Sequence, residues 1–131
     1  MNKYIKPLSI LVLLALTGCD EITTKDGDVV LCTEQYVYGL AIKVFDRETG
    51  YDNACDVTVL IEDGSYREEL TYGTNISCNE SYIFSGAGER AGTYTVTITK
   101  PGYQEWVKTN ILVTENVCHV NPVTVDAYLE K

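Results

Sequence analysis

Thr93-Tyr94-Thr95-Val96-Thr97-Ile98-Thr99 is the stretch that decides the fold. Tyr94, Val96 and Ile98 fall on one face and the four threonines on the other, a period of two that suits a strand with one buried and one wet face. β-branched and aromatic side chains also fit a pleated, half-buried surface. Gly92 precedes the run and Lys100-Pro101-Gly102-Tyr103 turns the chain after it. Working outward, Tyr38, Leu40, Ile42 and Val44 alternate before the turn at 46–50, and Cys55, Val57, Val59 and Ile61 alternate before Glu62-Asp63-Gly64. A less regular strand is expected over 66–72, then a loop with Asn75, Cys78 and Asn79, a short strand around 82–84, and a connection marked by Gly86, Gly88 and Gly92. The segment 106–113 supplies a sixth strand, and Val123, Val125, Ala127 and Leu129 alternate along a seventh. No window is long and amphipathic enough for a helix. Seven short strands at this spacing predict an all-β fold, a single seven-stranded antiparallel β-sandwich over residues 36–131.

The N-terminus has a different character. Lys3 and Lys6 precede an apolar run, Leu8 to Leu16, far shorter than the roughly 20 residues a membrane-spanning helix needs. The run ends in Leu16-Thr17-Gly18-Cys19, which resembles the lipobox of bacterial lipoproteins, where a peptidase cuts before a diacylglyceryl-modified cysteine. The resemblance implies a cleaved signal peptide at 1–18, lipidation of Cys19, and attachment to a membrane of the bacterial cell envelope, facing the periplasm. It leaves open whether that membrane is the inner or the outer one. Residues 19–35 read as a polar, lipidated tether ahead of the folded domain. Asp26-Gly27-Asp28 lacks the spaced acidic ladder of a calcium loop and reads as a solvated turn.

The strand and turn residues also resemble a known family. Ile42, Val44, Asp46, Thr49 and Gly50, then Ala54 and Val57, then Gly92 to Tyr94, Val96, Ile98 and Lys100 to Tyr103, are similar to the carboxypeptidase regulatory-like domain, a transthyretin-like sandwich. The resemblance spans about 37–129. It implies a fold and an accessory, non-catalytic role rather than a particular ligand. Lys43 faces opposite Ile42 and Val44, and no Asn stands in 123–129, so the lysine–asparagine isopeptide bond of the related adhesin repeats is not expected.

Five cysteines in an exported chain leave one over. Lipidation accounts for Cys19, and the other four can close as two disulfides in an oxidising compartment. Of the three possible connectivities, alternating strand directions favour Cys55 with Cys78 at one end of the sandwich and Cys32 with Cys118 at the other. Ten basic side chains stand against 19 acidic ones, a net charge of −9, and loss of Lys3 and Lys6 makes the balance more acidic. Such a surface repels phosphate backbones, so no nucleic-acid partner is expected, and membrane attachment falls to the acyl chains.

Catalytic chemistry finds little footing. His119 is the single histidine, which rules out a multi-histidine metal centre, and no serine lies in a nucleophile-elbow pattern. Neither metal nor cofactor is expected. The adjacent acids Glu62-Asp63 and Glu68-Glu69 read as solvated strand edges, and Glu89-Arg90 as an ion pair locking a turn. Aromatic residues at turns, Tyr51, Tyr66, Tyr72, Tyr103 and Trp106, offer the better binding surface, with Tyr103 and Trp106 as its leading members. The expected function is a lipid-anchored, non-enzymatic binding or assembly module whose partner is an envelope protein or glycan. A carbohydrate-binding module using the turn aromatics is the alternative, and a small envelope hydrolase built around His119 is a minor one.

Overall fold

A computed structural model describes residues 22–23, 29–72 and 81–131. The segments read as a signal peptide and the lipobox, together with Cys19, the Asp26-Gly27-Asp28 turn and Cys78, lie outside the described residues. Ahead of the folded domain, β1 (Ile22–Thr23) and β2 (Val29–Val30) pair as a short antiparallel ribbon. A compact unit runs from Cys32 to Lys131. It contains β3 (Tyr38–Asp46), β4 (Thr58–Asp63), β5 (Tyr66–Thr71), β6 (Ile83–Gly88), β7 (Gly92–Thr99), β8 (Trp106–Val113) and β9 (Val123–Leu129). No helix occurs among the described residues.

The strands form two sheets in a sandwich-like arrangement, three strands in the order β6-β3-β9 and four in the order β5-β4-β7-β8. Their inward faces share one core. Leu40, Ile42 and Val44 of β3, Val59 and Ile61 of β4, Tyr94, Val96 and Ile98 of β7, and Val125, Ala127 and Leu129 of β9 are all buried. Each set is spaced by two, as the alternation requires. Tyr94 is the largest fully buried side chain. Its hydroxyl donates to the Arg90 carbonyl at 2.8 Å and accepts from Arg90 Nη1 at 3.1 Å, so the buried oxygen is satisfied.

The arrangement departs from an all-antiparallel sandwich at one pair. β3 and β9 run parallel, in register from Leu40↔Val123 to Asp46↔Leu129. The cause is where β8 ends. Val113 pairs with Gly92, and its side chain lies against Gly39 at the start of β3. The short connection 114–122 therefore delivers the chain to the end from which β3 departs, and a strand leaving from there must run with β3. Everything between the two strands serves as the long crossover that parallel pairing needs.

Gly86 and Gly88 belong to β6, not to a connection. A side chain at Gly86 would meet Ile61 and the Glu68 carboxylate, and one at Gly88 would overlap the Tyr36 hydroxyl, so both mark close approaches. The expected solvated acids also behave differently. Glu68 Oε2 accepts from the Ala87 N–H at 2.8 Å and the Tyr66 hydroxyl at 2.6 Å, tying edge strand β5 to edge strand β6. Burial, with Glu68 adding to it, raises the Tyr66 phenol above its ordinary range. Glu89 and Arg90 do not pair with each other. Arg90 bonds Asp63 at 2.7 Å, which with the Tyr94 hydroxyl raises its already high pKa, and stacks over the Tyr66 ring at 4.4 Å.

Candidate functional site

The strand directions sort the turn aromatics to opposite ends. Tyr66 sits with Asp63 and Gly92, whereas Tyr51, Tyr103 and Trp106 lie with Asp46 and Thr99 at the other end. They therefore do not form one flat patch. Tyr103 is half-buried, packed against the core, and its hydroxyl donates to Asp46 Oδ2 at 2.6 Å. The ammonium groups of Lys100 and Lys131 lie 5.8 and 5.6 Å from its ring centroid. Trp106 is likewise half-buried against the core. Both leading aromatics thus serve the fold: Tyr103 ties the 46–50 turn to the turn after β7, and Trp106 covers the base of β8. Tyr51 is exposed.

Asp46 is the buried acid of that junction. Its Oδ1 accepts from the N–H groups of Glu48 and Thr49, each at 2.9 Å, an arrangement that closes the turn around the carboxylate. With Tyr103 contributing most and the Thr49 N–H next, these donors stabilise the ionised form and lower its pKa to about 2.

The other end carries a groove. A disulfide joins Cys32 to Cys118 across a sequence separation of 86, in agreement with the pairing favoured for that end. Cys55, at the opposite end, is also disulfide-bonded, while its expected partner Cys78 lies outside the described residues. The Cys32–Cys118 bond draws residues 33–36 against the 114–122 connection, and these two segments, with Glu89, border an open groove of about 540 Å³. The connection is itself ordered by Asn116, whose Oδ1 accepts from the N–H groups of Cys118 at 2.9 Å and His119 at 3.0 Å.

His119 lies in the groove wall. Its Nδ1 stands 2.9 Å from Glu89 Oε1 and its Nε2 3.1 Å from Thr33 Oγ1. An ionised carboxylate can only accept, so the proton between His119 and Glu89 sits on Nδ1, and in the neutral ring Nε2 accepts from the Thr33 hydroxyl. Glu89 Oε1 also accepts from the Val37 N–H at 2.7 Å, and the Glu89 N–H donates to the Val37 carbonyl at 2.8 Å. Burial pushes the Glu89 carboxyl up, but the Val37 N–H and His119 outweigh it and hold the group below its usual range. The segment 32–37 is therefore fastened at both ends, by the disulfide and by Glu89.

The order hydroxyl, imidazole, carboxylate is that of a nucleophile, base and orienting acid. The backbone N–H groups of Cys118 and His119, next to this chain of hydrogen bonds, are both spent on Asn116. Among the described residues no group of three or more His, Cys, Asp or Glu side chains is placed to hold a metal ion. Sequence reasoning misses Tyr36, because it directly follows the 19–35 segment that reads as a tether. The signal that could have found it was the Cys32–Cys118 pairing, which obliges the residues after Cys32 to lie beside those around Cys118. Searches against family models, curated proteins and solved structures find no match for this chain.

Proposed function

We propose that this chain is a lipid-anchored lipoprotein of the bacterial cell envelope, facing the periplasm, whose sandwich domain is a non-enzymatic binding or assembly module. The observation that carries the binding role is the groove bounded by the Cys32–Cys118 disulfide, where a fastened backbone segment, an exposed aromatic ring and several polar side chains converge. The lipobox-like Leu16-Thr17-Gly18-Cys19 supports the anchor. The disulfide bonding of Cys32, Cys55 and Cys118 supports an oxidising compartment. The two-sheet arrangement accords with a carboxypeptidase regulatory-like domain, which as an accessory unit would present a surface rather than run a reaction.

A hydrolytic reading has one observation in its favour, the Thr33–His119–Glu89 chain. The same bonds fasten segment 32–37, and that role needs no turnover. The two readings separate in one set of variants. Crosslinking in intact cells followed by affinity capture should recover partner material from wild type and lose it in Val117→Asp, which places a charge on the groove rim. An identical capture profile for the two would contradict the binding site. Hydrolysis of small esters that vanishes in Thr33→Ala would contradict the non-enzymatic reading.

A further inference from the structure

Tyr36 has an unusual combination of properties: the residue is 62% exposed, yet it is held in place. The ring tip lies over Gly88, where any larger residue would collide with the hydroxyl. Its edge meets Tyr38 at a centroid distance of 5.3 Å and an interplanar angle of 78°. The backbone on either side is fixed by the Cys32–Cys118 disulfide and by the two hydrogen bonds between Val37 and Glu89. An exposed aromatic normally gives up rotamer freedom on binding; here folding has already removed it. The ring borders the groove, and Glu34, Gln35, Glu115 and Asn116 line the same space.

We propose that Tyr36 is a stacking platform for a pyranose ring and that the groove is a subsite for a neutral oligosaccharide. A pyranose offers an apolar C–H face to an aromatic ring and a rim of hydroxyls, each able to donate and accept. Carboxylates accept from such hydroxyls, and the Gln35 amide can both donate and accept, so the groove matches that rim. Glu34, Glu89 and Glu115 around the groove and the net charge of −9 oppose an anionic sugar or a phosphate ester. A lysine-rich peptide would also satisfy the carboxylates and could set an ammonium over the ring, so it is the competing ligand in the test. This inference rests on the binding-module reading and adds to it a ligand class and a contact residue.

The test is titration of the full-length chain by ligand-observed NMR and calorimetry with cellohexaose, maltohexaose, mannohexaose, xylohexaose and chitohexaose, with a lysine-rich hexapeptide alongside. At least one saccharide should bind, with little change at high salt. Tyr36→Ala should weaken it about tenfold or more, Tyr36→Phe should bind like wild type, and Gly88→Ala should weaken it by displacing the ring. Tyr36 is exposed, so Tyr36→Ala should melt near wild type and its loss of binding is not a loss of fold. Binding unaffected by Tyr36→Ala, or no binding by any of the five saccharides, would overturn the proposal. Salt-sensitive binding of the peptide alone would also overturn the saccharide assignment while leaving a binding module in place.

Discussion

Replacing Cys32 and Cys118 together by serine should be the most costly perturbation at the groove end. The bond spans a sequence separation of 86. On the chain-entropy estimate, opening a loop of that size returns about 15 cal/mol/K to the unfolded chain, or about 4.6 kcal/mol at 25 °C. In a domain of this length each kcal/mol moves the melting temperature by about 4–8 °C, so a fall on the order of 20–35 °C is the upper range. Removal of native disulfides from small domains costs about 2–5 kcal/mol, which sets a lower expectation of about 10 °C. Near-UV circular dichroism would follow the tyrosine environments during melting. Urea titration adds a second readout: if the bond acts through the unfolded state, the variant's unfolded chain is more expanded and its m-value rises. A double variant that melts within about 5 °C of wild type, with an unchanged m-value, would refute the reasoning.

Asp46→Asn should change how stability depends on acid. Because the folded carboxyl titrates near 2 rather than 3.8, the wild type's advantage is complete above about pH 3.8 and disappears as pH falls through 2. Melting curves across that window should converge, and parallel curves would show that the Tyr103 and turn bonds do not hold the ionised form. Glu68→Ala should cost about 1–3 kcal/mol, since the buried Ala87 N–H loses its acceptor. Denaturation by urea would measure it, and a value near zero would contradict the cross-sheet tie. Thr33→Ala should lower stability slightly and leave ester hydrolysis at the buffer rate; loss of a measurable wild-type rate would assign the hydroxyl a chemical role.

The strands were legible where one face is buried and the other wet. Tyr94, Val96 and Ile98 alternate with threonines, and both sheets keep that period through their inward residues. The parallel placement of β9 was not legible, because direction depends on which end of the sandwich β8 reaches, a long-range property that no local pattern carries. The glycines of β6 misled for a related reason. Gly86 and Gly88 read as turn residues, but they are small because Ile61, Glu68 and Tyr36 approach from elsewhere in the chain. Glu68 looked like half of an exposed acidic pair, and only the facing Ala87 N–H gives it an inward task. At the site, the turn aromatics drew attention because exposed rings bind ligands. Tyr103, however, is engaged by Asp46, and the exposed yet fixed ring is Tyr36, the first residue after the 19–35 segment that reads as a tether.

The central proposal, a module held at a membrane through Cys19, is tested most directly by detergent phase partitioning of the full-length chain expressed in bacterial cells, with mass analysis of the mature N-terminus. Two or three acyl chains hold a protein at a membrane essentially permanently, at about 0.8 kcal/mol per buried methylene. Wild type should partition into detergent with a diacylglyceryl group on Cys19, and Cys19→Ala should remain unprocessed or move to the aqueous phase. Wild-type protein recovered in the aqueous phase with residues 1–18 removed would contradict the anchor.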